Sequence, residues 1–162
     1  MLVALRNKNR KTSGALWTYP ATPSRRLSHI GTAVADSDAV HPSKMSASDL
    51  SGKMFEHPDT LKSEDNGNTT LDITSLLSSD GKFASGMYRS DKVRFEITEP
   101  YGVDEFMYFL EGSVTLISDD GTKQVINAGE AVTIPKEWTG IWDTDGYRKI
   151  WVIYSEDGSA LE

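Results

Sequence analysis

The sequence predicts an all-β domain, a barrel or sandwich of many short strands over residues 69–156, behind an N-terminal arm without structure of its own. Two observations carry the strand reading. From Thr69 onward, apolar runs of strand length follow one another at short intervals, each closed by turn residues. No helix-spaced pattern there lasts beyond two or three turns, which leaves a sandwich or barrel as the way to bury one face of so many strands. A third observation sets the arm apart. Residues 1–44 are rich in Ser, Thr, Ala and Arg, carry prolines at 20, 23 and 42, and show no sustained periodicity.

Taken in order, the arm comes first. No acid precedes Asp36, and an Arg- and Ser-bearing, acid-free start has the composition of an organelle transit peptide. Two other readings stay open: Met45 is the true first residue, or the arm is an ordinary disordered tail. Residues 45–68 form a polar lead-in, with a short helix expected around Ser46–Met54 and a turn at Asp65-Asn66-Gly67-Asn68. Strands are expected near 69–74, 83–89, 92–98, 104–111, 113–118, 122–127, 131–134, 139–143 and 147–154. Asp119-Asp120-Gly121 and Asp145-Gly146 both read as hairpin turns. The closing run Lys149-Ile150-Trp151-Val152-Ile153-Tyr154 is almost continuously apolar, which predicts burial on both faces, under a second sheet or a dimer partner.

Composition removes whole classes of chemistry. Absence of cysteine excludes disulfides, thiolate metal sites and cysteine nucleophiles. No apolar run approaches the roughly 20 residues that span a bilayer, so no membrane association is expected. No apolar segment of the secretory kind is found either, and a cytoplasmic location is expected. The net charge of −7 is divided unevenly: residues 1–44 hold seven Lys/Arg against two acids, and the remainder ten against 22. An acidic body repels phosphate backbones, so nucleic acid is not expected as a partner. There is no phosphate-binding glycine loop and no Gly-x-Ser-x-Gly elbow, and the histidines, His29, His41 and His57, all precede the strands.

The most informative stretch is Asp104-Glu105-Phe106-Met107-Tyr108-Phe109-Leu110-Glu111-Gly112, followed by Ala128-Gly129-Glu130-Ala131-Val132-Thr133-Ile134-Pro135. Alternation puts Glu105, Met107 and Phe109 on one face and Phe106, Tyr108 and Leu110 on the other. Both faces are apolar except for Glu105. A carboxylate there is costly unless it is paired or has a use.

The pair of segments resembles the two motifs of the cupin superfamily: Glu105 with Gly112 fits the first, Gly129 with Pro135 the second. The Asp-Glu-Phe-x-Tyr-x-Leu-Glu-Gly form, with Ile-Pro-Lys, Trp-Thr-Gly-Ile-Trp and Arg-Lys-Ile-Trp after it, is similar to the Cupin_3 (DUF861) subfamily. That subfamily includes ureidoglycine aminohydrolase-like proteins and an ethanolamine-utilisation cupin. The resemblance covers roughly residues 83–154 and implies a jelly-roll barrel, a double-stranded β-helix, often dimeric. In metal-binding cupins a His-x-His pair precedes the glutamate and a third histidine follows the proline by five residues. Here those places hold Glu99-Pro100-Tyr101-Gly102-Val103 and Gly140, so of the ligand set only Glu105 remains and no metal or other cofactor is expected, with oxygen-only ligation by Glu99, Glu105 and a tyrosine as the alternative.

The candidate site residues follow. Glu105 is the candidate acid/base, its pKa expected to be raised by burial, or else one half of a structural pair with Arg94 or Lys149. Arg94 is suited to grip a carboxylate in two-pronged fashion, or to neutralise Glu105 or Glu96. Tyr101 stands where the histidine pair would begin. Trp138, Trp142 and Tyr88 are candidate aromatic walls, the alternative for each being core packing. The expected function is binding of a small organic ligand by a homodimer. The alternatives are a metal-independent, aminohydrolase-like enzyme on a small nitrogenous or carboxylated metabolite, and a dimeric accessory barrel.

Overall fold

The computed structural model describes residues 39–161, and the expectations for residues 1–38 fall outside it. A single helical turn, α1 (Ala47–Leu50), opens the described chain. Ser46 caps it in a capping box with Asp49, satisfying backbone donors at its start. A 3-10 turn, Lys53–Glu56, follows. The rest is strand: β1 (Leu61–Asp65), β2 (Asn68–Leu77), β3 (Phe83–Ile97), β4 (Asp104–Ser118), β5 (Lys123–Asn127), β6 (Ala131–Ile134) and β7 (Gly140–Tyr154). All pair antiparallel, in the order β1-β2-β3-β7-β4-β5, with β6 added against the first half of β4.

Turn chemistry explains the hairpins. Asn66 and Gly67, with φ of 48° and 79°, join β1 to β2, the doubly positive geometry of a type I′ hairpin. The turn at Asp119-Asp120-Gly121 joins β4 to β5, with Asp120 accepting from the Thr122 amide at 2.8 Å. Asp145-Gly146, in contrast, is no hairpin. It lies inside β7, where Gly146 at φ 129° bends a strand that runs on from Gly140 to Tyr154. The same holds at Gly112, inside β4, whose register against β7 shifts on either side of it. Three 15-residue strands, β3, β4 and β7, thus stand where six shorter ones are expected. Bending at glycines and bulges is how long strands curl a sheet around its own core.

The core is the inner face of this curl: Tyr88, Met107, Phe109, Val114, Leu116, Trp142, Tyr147, Trp151 and Ile153 are all buried. Within one chain, β4 and β7 are buried on one side. Inward residues of 105–110 and 149–154 are covered, while Phe106 is 44% exposed, Tyr108 38% and Tyr154 50%. The outward apolar side chains have no second layer over them among the described residues.

Candidate functional site

Glu105 lies near the start of β4, opposite Ile153 of β7 and Ile134 of β6. Lys149 lies on β7 between Tyr88 of β3 and Phe109 of β4, and the row continues across the sheet through Tyr88 to Asp72 of β2. Pleating turns Glu105 and Lys149 to the same interior. Lys149 Nζ donates to Glu105 Oε1 at 2.6 Å, and the two side chains are each 1% exposed. The ammonium also lies 2.8 Å from Met107 Sδ, and its centre is 5.4 Å from the Trp142 ring, 5.7 Å from Tyr88 and 6.0 Å from Tyr147. A cation held over several ring faces is attracted by their quadrupoles, and more so out of water.

Tyr101 completes the cluster from a loop. Its amide donates to the Trp138 carbonyl at 3.0 Å, and the Gly102 amide to the Lys136 carbonyl at 2.8 Å, so loop 98–103 is pinned to loop 135–139. This carries the Tyr101 hydroxyl inward, where it donates to Glu105 Oε2. Trp138 packs edge-on against the Tyr101 ring and donates its indole N–H to Ser118 Oγ at 3.1 Å.

Electrostatics follow from these contacts. Burial pushes the Glu105 carboxyl upward; the charge of the Lys149 ammonium leads the influences that lower it, and the hydrogen bonds from Lys149 and Tyr101 act in the same direction. The carboxyl is held below the ordinary range. The expectation of a raised pKa is therefore corrected: the partner, not the desolvation, decides the direction. Burial raises the Tyr101 and Tyr147 phenols well above their ordinary value, and the Glu105 charge adds to both. Tyr88 is raised in the same way.

A pH dependence of stability follows. A carboxyl whose folded pKa lies below its unfolded value of about 4.5 contributes stability that is fully present above that pH. That contribution is lost as the pH falls through the folded pKa. We expect the Glu105 contribution to be flat from pH 8 to pH 5 and to decline below about pH 4.5. The wild type is expected to lose more stability over that acid range than Glu105→Gln, measured as melting temperature against pH. Parallel curves would exclude the assignment.

Of the expected site residues, Glu105, Tyr101, Tyr88 and Trp142 come together, and Trp138 supports Tyr101 from behind. Arg94 does not join them. It points outward on β3, 54% exposed, and pairs in register with Asp143 of β7, so it neutralises neither Glu105 nor Glu96. Lys149, Tyr147 and Asp72 belong to the cluster and were not singled out as site residues by sequence. A lysine inside an otherwise apolar run is the signal that was available for the first.

Among the described residues the donor set a metal would need is not assembled. Glu105 is engaged by an ammonium, Glu99 is exposed, and position 140 carries no side chain. Among the described residues no three His, Cys, Asp or Glu side chains converge. The residues present do not fit a divalent metal.

A family model described as the EutQ-like cupin domain matches residues 77–150. This segment belongs to that family. Among solved structures the chain is similar to the EutQ protein of Clostridium difficile, with 25% identity and a TM-score of 0.49 over 61% of this chain and 78% of that one. It is similar to a protein of unknown function from Rhizobium leguminosarum, with 22% identity and a TM-score of 0.51 over 72% of this chain and 100% of the other. It is also similar to ectoine synthase from P. lautus, with 15% identity and a TM-score of 0.51 over 63% and 72%. The last two share its fold, and at such identities the likeness is one of fold alone. No curated protein is a significant match to the sequence. The cupin barrel contains no helix, among the described residues, long and apolar enough to cross a membrane.

Proposed function

We propose that this cupin barrel binds a small organic molecule at the Glu105–Lys149 pair, using the surrounding aromatic rings as walls and no metal as part of the site. The observation that supports the reading is the pair itself. Replacing a buried ion pair by apolar side chains of similar volume is often neutral or stabilising by roughly 1–4 kcal/mol, so such a pair is a poor device for stability alone. Here it is surrounded by Tyr101, Tyr88, Trp142 and Tyr147, all buried. Buried titratable groups with shifted pKa values cluster at functional sites, and aromatic side chains suit the walls of one. Thermal-shift screening against polar metabolites of all charges tests it. A ligand at 100 times its Kd is expected to add about 2.7 kcal/mol of stability. Failure of every compound to stabilise the protein would sink the reading.

A second reading has Glu105 as acid/base of a metal-independent enzyme, and the hydrogen-bonded series Tyr101–Glu105–Lys149 favours it as a route for a proton. The depressed carboxyl makes Glu105 a weak base, which is why binding ranks first. Once a substrate is found, full turnover by Glu105→Gln would exclude this role.

We also infer that two copies of the chain pair through the outer face of the sheet. Phe106 and Tyr108 of β4 lie beside Val152 and Ile150 of β7, and Phe83 of β3 beside Tyr154, with the large side chains of this face half-exposed. A self-complementary apolar face suits a two-fold pair. Size-exclusion chromatography is expected to give a dimer that Phe106→Glu converts to a monomer. A monomeric wild type would remove this inference.

A further inference from the structure

Glu105, Lys149, Tyr88, Trp142 and Tyr147 stand on strands, and β3 and β4 each pair with β7 along nearly their whole length. A molecule that reached Glu105 through that part of the wall would have to part a strand ladder. Tyr101 differs from these residues, because it comes from loop 98–103 between β3 and β4. Thr98, Glu99, Pro100 and Gly102 of this loop are exposed, while Tyr101 between them is 2% exposed. The loop is tied through the Tyr101 and Gly102 amides to loop 135–139, itself a connection and not a strand. Gly102 has φ at 95° and open surroundings: beyond its chain neighbours, a Cβ there would meet nothing closer than the Pro100 carbonyl oxygen at 3.9 Å. A side chain at the centre of a site, carried by an exposed loop with an unpacked glycine beside it, is the part of the wall that opens at least cost.

We propose that Tyr101 is an internal stand-in for the ligand. Loop 98–103 swings outward at Gly102, the phenol ring leaves the barrel, and the ligand takes the place of the ring. The inference rests on the binding function proposed above and adds how that site is closed and what chemistry opens it. The room for the ligand is the room the ring gives up, so its size is that of one six-membered or five-membered ring. Its polar requirement follows from the contact it replaces. The Tyr101 hydroxyl donates to Glu105 Oε2. A compound without a donor would take that hydrogen bond from a buried carboxylate and return nothing, which is costly. The ligand class is therefore a small ring bearing a hydroxyl or N–H donor. The closed loop competes with it, and apparent affinity falls by the fraction of molecules that are open.

The test uses Tyr101→Ala, which empties the place of the ring, with phenol and benzene as probes in thermal shift and calorimetry. Phenol is expected to bind the variant about tenfold or more tightly than it binds the wild type, because the competing ring is gone. It is also expected to bind the variant about tenfold more tightly than benzene, which suits a purely apolar cavity but has no donor for Glu105. Benzene binding as well as phenol, a folded variant that takes up no phenol, or a wild type that binds phenol as tightly as the variant would overturn the inference. Hydrogen exchange of the wild type needs no variant. The Tyr101 and Gly102 amides are expected to exchange well before those of β4, and exchange of both only with global unfolding would show that the loop does not open. A metabolite that binds the wild type while the Tyr101 ring signals stay unchanged would leave the binding function standing and remove this assignment alone.

Discussion

Lys149→Met is expected to be among the most damaging single substitutions in the protein, and to be repaired by a second substitution at Glu105. Methionine matches the lysine stem in length and apolar character, so the barrel loses little packing. What it loses is the cation beside a carboxylate that is 1% exposed. Removing one partner of a buried pair leaves an uncompensated charge and costs about 3–5 kcal/mol. For a domain of this size that corresponds to a fall in melting temperature of roughly 10–20 °C. The Tyr101 hydroxyl would remain as a hydrogen-bond donor to Glu105 but carries no charge to offset it. Adding Glu105→Gln removes the charge and is expected to recover most of the loss. The comparison is a double-mutant cycle by thermal or urea denaturation. A Lys149→Met protein within about 1 kcal/mol of wild type would show that the two groups do not depend on each other.

The same pair shows where sequence reading reached its limit. The spacing of Glu105, Gly112, Gly129 and Pro135 identified the barrel, because each glycine and proline there answers a backbone requirement that travels with the fold. Gly112, at φ 71°, is one: a Cβ there would lie 2.0 Å from the Gly146 carbonyl oxygen. Alternation along β4 placed Glu105 correctly on the inner face. It could not say which cation would meet it, because that depends on register between strands 44 residues apart in sequence. Arg94 was an equally good partner on paper. It has the right charge, but side chains on β3 alternate, and its position falls on the outer face, opposite Asp143. Lys149 was the other partner open from sequence, and the structure selects it. Within Lys149-Ile150-Trp151-Val152-Ile153-Tyr154 both faces read as apolar, so the run suggested two-sided burial. The fold buries one side and leaves Tyr154 half-exposed on the other. Tyr101 was legible only as a substitution at a motif position, and its link to Glu105 depends on a loop pinned through Trp138 and Lys136, which no local pattern encodes.

Gly140→His is the second large effect expected, and it bears on whether this barrel could be returned to metal binding. Position 140 is where the cupin pattern would place its third histidine, so the substitution restores that ligand on paper. The backbone forbids it. Gly140 opens β7 between Ile97 of β3 and Ser118 of β4, with φ at 150°, a conformation that side-chain-bearing residues rarely adopt. A Cβ there would lie 2.2 Å from the Ile117 carbonyl oxygen and 2.8 Å from the Trp138 ring. The first of these contacts is with backbone of an adjacent strand and cannot be relieved by a rotamer change, so β7 would have to part from β4 at its first residue. We expect Gly140→His to lower stability by about 3 kcal/mol or more, in the range of strained or overpacked core substitutions. We also expect it to bind no nickel or zinc, since Glu105 stays engaged by Lys149. Circular dichroism melts and calorimetric metal titration check both halves. A folded variant that takes up one metal per chain would mean that the backbone at 140 adapts and that the ammonium yields to a metal ion. A destabilised variant that stays metal-free would place the departure from metal binding in two separate parts of the barrel. One is a strand start too close to its neighbour for any side chain, and the other is a lysine whose charge already balances the remaining carboxylate.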